Sequence, residues 1–222
     1  MLNLFNMLIG VITSQIIGIF VYITLATIIT WKFCNERLLT PQTFEEIQIS
    51  LNAFMLGTPL SLIFKYFMFP YLKIYMNIMD YGYFYLFFNL VIYFIGFDFI
   101  NYLLHRLLHL QFFYRNIHSL HHKYRNPSPF AAIAVHPLEF FLNSVIPSTI
   151  MAFIIPTHYY VWLFSYGFHL FWSVLIHDGL KNNSMGNLIM DAKHHGIHHK
   201  KPLTNYAFII SYWDVFFNTY SE

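Results

Sequence analysis

Long apolar runs are the feature that most limits what this chain can fold into. Residues 2–31 carry no charge, and the runs 51–69, 82–104, 139–155 and 159–176 carry very few charged side chains. A helix needs about 20 apolar residues to cross a bilayer. Because the first run is longer than a signal peptide and lacks its basic start, we interpret it as a retained membrane anchor. The sequence therefore predicts an all-α integral membrane protein with four to five transmembrane or hairpin helices.

The composition agrees with a lipid environment. Hydrophobic residues make up 57% of the 222 residues and charged residues only 10%, whereas soluble domains are about 25% charged. The net charge of +2 gives no reason to expect a nucleic-acid partner, and the single cysteine, Cys34, excludes an intrachain disulfide. Without repeats or linkers, we expect one membrane domain over 1–222, with N-terminal spans in 1–81 and a histidine-rich catalytic region in 82–222.

The basic residues predict the orientation in the membrane. Loops rich in lysine and arginine stay in the cytosol. Helix parity then places the 70–81 and 156–158 connections in the lumen and a polar loop, 32–50, in the cytosol. Eight of the twelve basic residues fall in two segments that we therefore assign to the cytosol, namely Arg106, Arg115, Lys123 and Arg125, then Lys181, Lys193, Lys200 and Lys201.

Histidines concentrate in the same two segments. Three motifs contain them, HRLLH at 105–109, HSLHH at 118–122 and HHGIHH at 194–199, and one more histidine stands in IHDG. Positions i and i+4 share a helix face, so two imidazoles can bind one metal. In HxxHH the middle histidine lies about 100° around the helix and faces a neighbouring ion. The predicted ligands are His105, His109, His118, His121, His122, His177, His195, His198 and His199.

Nine imidazoles are too many for one ion and suit a pair. No cysteine lies among them, which excludes thiolate zinc and iron–sulfur sites, although zinc could occupy the imidazoles of a purified sample. Paired ions with nitrogen ligands at a membrane surface favour a non-haem di-iron centre that activates O2. Further candidates, as ligands or as supports for ligands, are His136, His194, Asp98 and Asp178. Asp98 is expected to orient a ligand imidazole, with a bond to another helix as the alternative.

Three further expectations concern the arrangement of the motifs and the roles of individual residues. HHGIHH should lie beside HSLHH, because the intervening chain crosses the membrane twice. Gly196 is expected to leave room for a close helix approach. His158 and His169 are expected to be ordinary structural residues rather than ligands.

The motifs resemble one family of proteins. HRLLH, HSLHH and HHGIHH, in this order, resemble the fatty acid hydroxylase and sterol desaturase superfamily, and sterol C-5 desaturases most closely. Three further stretches are similar to that family: NPSPFAAIAVHPLEFFL after the second motif, SVLIHDG at 173–179 and NYAFIISYWDVFFNTY at 205–220. This sequence has Ala207 and Asn218 at or near positions where the family usually has glycine.

The resemblance implies an enzyme of lipid metabolism in the endoplasmic reticulum, with its histidines facing the cytosol. Its two iron ions would use O2, and electrons would come from NAD(P)H through a separate cytochrome b5. The substrate implied is a sterol that gains a double bond between C5 and C6. A fatty acid or sterol-methyl hydroxylase is the alternative enzyme, and a non-catalytic metal-binding membrane protein is the alternative of another class.

Overall fold

The computed structural model describes residues 4–33, 38–177 and 188–222, and these are mostly helical. The predicted all-α membrane architecture is confirmed, since five of the described helices are long and apolar enough to span a bilayer. The helices are α1 (Leu4–Phe33), α2 (Pro41–Met68), α3 (Gly82–Leu108), α4 (Gln111–Asn116), α5 (Pro137–Ile154), α6 (Tyr159–Ile176), α7 (Ala192–Lys200) and α8 (Tyr212–Phe216). The spanning helices are α1, α2, α3, α5 and α6.

The second span begins earlier than the sequence predicts. The polar loop expected over 32–50 ends at Thr40, whose side chain accepts a hydrogen bond from the backbone N–H of Thr43 at 3.1 Å. Pro41 occupies the first helical turn, where its missing N–H is no disadvantage. Glu46 is buried and accepts a hydrogen bond from the Ser128 hydroxyl. The capped start and the hydrogen-bonded Glu46 thus extend α2 through residues that polarity alone assigns to a loop.

Large apolar side chains cover the outside of the bundle. Phe84 is 85% exposed and Phe20 is 69% exposed, in helices that also bury apolar residues internally. Such a surface is unfavourable in water and suits a lipid solvent. The inside is held by bonds between distant segments. For example, the Tyr22 hydroxyl donates to the Phe130 carbonyl at 2.6 Å, which fixes α1 against the 3-10 turn Pro129–Ile133.

Two short strands join one end of the bundle, which we call the strand end. β1 (Ile74–Tyr75) pairs in parallel with β2 (Thr157–His158). The 70–81 and 156–158 connections therefore lie on one side, as the helix parity predicts. His158 caps α6 by accepting from the Tyr160 N–H, and its Nε2 donates to the Met76 carbonyl. It is a structural residue far along the helices from the other histidines.

Two buried aspartates fix the C-terminal segment. Asp98, on α3, accepts from the backbone N–H groups of Ile209 and Ile210 and from the Trp213 indole at 2.7–3.0 Å. Asp214 accepts from the N–H groups of residues 206 and 207 and from the 219 hydroxyl. Asn218 has a φ of 56°, which accounts for the glycine expected near this position. The segment is thereby held against α3.

Substitution by alanine should have opposite effects on stability at two glycines. A Cβ at Gly57 would overlap the Phe140 ring and lie 3.1 Å from the Pro137 carbonyl oxygen, so α2 and α5 would have to separate. A Cβ at Gly196 meets no heavy atom of the described residues within 4 Å, and the close helix approach expected there is not found among them. We expect Gly57→Ala to destabilise the protein by about 1–3 kcal/mol. Gly196→Ala should stabilise α7 by roughly 1 kcal/mol through helix propensity.

Thermal unfolding of both variants in the same detergent measures this difference. Equal unfolding temperatures for the two variants would contradict the packing described at Gly57.

Candidate metal centre

The nine histidines predicted as ligands meet at the end of the bundle opposite the strands, which we call the histidine end. They form two groups, and within each group one ligand atom per residue lies within 4.8 Å of the others. The first group is His105, His109, His118, His122 and His198. The second group is His121, His177, His195 and His199.

The HxxHH spacing divides its residues between the groups as helix geometry predicts. The outer pair His118 and His122 belongs to the first group, and the middle His121 to the second. In the third motif the outer pair belongs to the second group and the middle His198 to the first. The motifs lie side by side, as expected, with the rings of His122 and His198 4.7 Å apart. HSLHH forms a 3-10 helix, His118–Lys123, and HHGIHH lies in α7.

Backbone carbonyls set the orientation of four of these rings. A carbonyl oxygen only accepts, so Nδ1 carries the proton and the Nε2 lone pair is left available. The four pairs, from Nδ1 to the carbonyl oxygen, are His105 to Tyr206 (2.8 Å), His177 to Ser173 (2.6 Å), His198 to Thr204 (2.6 Å) and His199 to Tyr124 (3.1 Å). This is the arrangement in which histidines bind metals in proteins.

The Nε2 atoms that result are crowded together. His195 Nε2 lies 2.9 Å from His177 Nε2 and 3.2 Å from His199 Nε2. In the first group, Nε2 of His109 and Nε2 of His198 are buried and have no hydrogen-bond partner within the described residues. Buried lone pairs without donors are costly, and a shared cation removes that cost. The residues present therefore fit a metal in each group.

Burial also keeps the imidazoles uncharged. Desolvation lowers the pKa of His121, His195, His198 and His199 well below the ordinary value, and neighbouring histidines lower it further. Desolvation lowers the pKa of His177 to about 4. A neutral imidazole is the form that binds a metal, so the groups are ready for metal at physiological pH.

One supporting residue was not predicted from the sequence. The Nδ1 of His118 donates to Glu139 Oε1 at 2.7 Å, and both side chains are buried. A carboxylate that orients a ligand imidazole also raises its basicity. The signal in the sequence is weak: Glu139 is the only acidic residue between Asp98 and Asp178, at the start of an apolar span.

Replacing Glu139 by glutamine should weaken metal binding. The amide oxygen still accepts from His118, but the negative charge that strengthens the ligand is lost. We expect metal affinity to fall about 10- to 100-fold. Glu45→Gln is the control, because the Glu45 carboxylate pairs with Lys123 rather than with a histidine of either group. Metal retained against a graded chelator challenge gives the comparison, and equal retention by the two variants would contradict this role.

Three of the remaining sequence candidates, Asp98, His136 and His194, lie outside the two groups. Asp98 binds backbone and indole donors of the C-terminal segment rather than a histidine, so its expected role in orienting a ligand is replaced by the alternative of a bond to another element. The His136 side chain caps α5 by accepting from the Leu138 N–H. His194 bonds to Asp191 and Tyr220. Asp178 lies outside the described residues.

A cavity of about 470 Å³ extends from the histidines into the bundle. Its walls are mainly apolar, with Ile17 from α1, Phe54 from α2 and Leu170 from α6 among them. This volume is in the usual range for pockets that bind small molecules. Both histidine groups reach it, through His105, His118, His121, His177 and His195. An apolar ligand in the cavity would therefore present its carbon atoms to both groups.

The fold and the paired histidine groups define a class: helical integral membrane proteins able to hold metal ions at one end of the bundle. More specifically, the family model for fatty acid hydroxylase matches residues 90–219. This chain belongs to the fatty acid hydroxylase family. The match covers both histidine groups.

The chain is also similar to individual proteins whose activities are assigned. A Delta(7)-sterol 5(6)-desaturase of Schizosaccharomyces pombe is 36% identical over 151 residues, 67% of this chain and 45% of that protein. A second one from the same organism is 32% identical over 214 residues, 91% of this chain and 69% of that protein. Lathosterol oxidase of Rattus norvegicus is 28% identical and covers 91% of this chain and 74% of that protein.

The chain spans less than half the length of several curated relatives that it matches. No solved structure shows a significant match to it.

Proposed function

We propose that this protein is a membrane oxidoreductase that introduces the C5–C6 double bond of a sterol. The observation that carries the proposal is the pair of histidine groups, of five and four residues, at the end of an apolar cavity. The names of the relatives support the sterol and the position of the double bond. All nine histidines are proposed as ligands, with Glu139 supporting His118.

Two bound iron ions would supply the oxidising chemistry, in which O2, two electrons and two protons become two waters as the substrate loses two hydrogens. The chain's own residues do the rest. The apolar walls hold the lipid and exclude water, and the carbonyl-bound imidazoles keep the ligand geometry fixed. Residues 1–81 and 82–222 are proposed to act as one membrane domain, because Ile17 and Phe54 complete the cavity wall.

The electrons are proposed to come from NAD(P)H through cytochrome b5. This partner is supported by the charge of the histidine end, where exposed Lys123, Arg125, Lys193 and Lys200 surround the buried site. An acidic protein is attracted to such a surface. We further propose that this end faces the cytosol, in the endoplasmic reticulum, following the distribution of basic residues.

The test of the proposal has a chemical and a biological part. The purified protein is expected to bind two metal ions per chain by elemental analysis, and zinc in place of iron would not alter that count. In cells lacking a sterol C-5 desaturase, expression should restore C5–C6 unsaturated sterols. At most one metal per chain after gentle purification would contradict the paired site. A hydroxylated product would support the hydroxylase alternative. Metal binding without any product would support the alternative of a non-catalytic metal-binding protein.

A further inference from the structure

Two amide side chains line the cavity close to the histidines. They are Asn101, on α3, and Asn143, on α5. The Nδ2 of Asn101 donates to the Phe97 carbonyl at 2.9 Å, while its Oδ1 has no hydrogen-bond partner in the described part of the chain. The Asn143 amide has no partner among residues 4–33, 38–177 and 188–222. Hydrogen-bonding capacity is therefore left over in an apolar wall.

Helix geometry places both amides at one depth. Asn101 precedes His105 by four residues on a helix that runs toward the histidine end. Asn143 follows Glu139 by four residues on a helix that runs away from it. At 1.5 Å per residue, each amide lies about 6 Å deeper in the bundle than its neighbour at the metal centre. The two side chains therefore flank the cavity one helical turn from the site of reaction.

Two serines of the wall, by contrast, are satisfied by their own helices. The Ser61 hydroxyl donates to the Gly57 carbonyl at 2.7 Å, and the Ser144 hydroxyl donates to the Phe140 carbonyl at 2.5 Å. An amide without partners inside a membrane protein is unfavourable, since lipid offers no hydrogen bonds. Within the described residues, the Asn101 oxygen and the Asn143 amide are therefore left to bind a polar group of a ligand close to the histidines.

We propose that Asn143 and Asn101 bind the 3-hydroxyl of the sterol and so set which bond meets the metal centre. This inference rests on the proposed function. Only C4 separates C3 from C5, so the hydroxyl oxygen lies roughly 4 Å from C5 by ordinary bond lengths. A sterol with C5 and C6 at the histidines therefore carries its hydroxyl to the depth of the amides. The hydroxyl donates to Asn101 Oδ1 and accepts from Asn143 Nδ2.

The two asparagines also provide a selectivity for hydroxylated ligands that the apolar wall cannot provide. A hydrophobic pocket distinguishes weakly between a hydroxylated ligand and its deoxy analogue, whereas a pocket with dedicated polar groups rejects the analogue that leaves them unpaired. Asn143 and Asn101 thus act as specificity-determining residues. They favour free 3-hydroxysterols over sterols whose hydroxyl is missing or esterified.

The experiment compares two ligands and three proteins. The metal-loaded full chain in detergent is assayed for equilibrium binding and for turnover of a Δ7-sterol and its 3-deoxy analogue. The wild type should prefer the hydroxylated sterol by at least about tenfold in binding. Asn143→Leu, similar in size, should lose most of this preference and bind the deoxy analogue at least as tightly as the wild type does. Ser144→Ala, the neighbouring control, should retain the preference.

The outcomes separate this inference from the proposed function. Equal binding of both ligands by the wild type, or an equal loss for both in Asn143→Leu, would overturn the inference even when turnover is observed. An Asn143-dependent preference in binding without turnover of either sterol would support the inference and count against the proposed desaturase. Asn143→Ala serves for the same comparison in case the leucine variant does not fold.

Discussion

Replacing His198 by alanine is expected to abolish activity and to reduce the metal content. His198 is the one residue of α7 that belongs to the first histidine group, and its ring lies 4.5 Å from that of His105. Loss of a residue that merely supports a ligand weakens metal binding about 10- to 100-fold. Loss of a ligand itself should exceed this, so we expect less than about 1% of the wild-type activity. His121→Ala should have the same effect through the second group.

The control for both variants lies at the opposite end of the bundle. His158 is also a buried histidine, but its ring caps α6 and bonds to the Met76 carbonyl. Asparagine keeps the capping acceptor, so His158→Asn should retain both metals and its activity per folded molecule. Elemental analysis and product formation measured on the same preparations decide the matter. Full activity in His198→Ala, or loss of metal in His158→Asn, would contradict the assignment of the site.

Removing the Asp98 carboxylate should cause the largest loss of stability. Three donors, from Ile209, Ile210 and Trp213, would lose their acceptor in a buried environment. Each unsatisfied buried donor costs about 1–3 kcal/mol, so Asp98→Ala is expected to destabilise the protein by about 3–5 kcal/mol. For a chain of this size, the unfolding temperature should fall by roughly 6–20 °C.

The same change should disturb the metal centre indirectly. The segment that Asp98 holds continues back to Tyr206, whose carbonyl orients His105. Asp80→Ala is the matched control, because Asp80 is exposed at the strand end and its substitution should alter stability by less than about 0.5 kcal/mol. Thermal unfolding in one detergent gives the comparison. Similar unfolding temperatures for the two variants would show that the C-terminal segment does not depend on Asp98.

The sequence was sufficient to predict the spans and the grouping of the histidines. Both depend on spacing within a single helix, which is fixed by 3.6 residues per turn and by the thickness of the bilayer. The division of HHGIHH between two groups, with His198 apart from His195 and His199, follows from that spacing in α7. So does the return of HHGIHH to the same end of the bundle, because two apolar spans separate the motifs.

Local sequence features led to a wrong prediction at two positions. The residues after Thr40 look like a loop, yet a cap at Thr40 and the burial of Glu46 against Ser128 extend α2 through them. At Gly196 the small side chain suggested a tight helix contact, but no described residue lies within 4 Å of a Cβ placed there. In both cases the outcome depends on residues that are distant in the sequence, which local polarity and side-chain size do not reveal.

What the sequence determined by itself is therefore local and periodic: four to five spans, one histidine end, and three motifs whose i, i+4 spacing suits a pair of ions. Only the tertiary structure assigned the partners, giving Glu139 to His118 and the Tyr206 carbonyl to His105, while Asp98 holds the C-terminal segment. The physical reason is that a hydrogen bond requires two groups within about 3 Å. Helix geometry fixes such distances between near neighbours, whereas for residues a hundred positions apart they exist only after the helices have packed.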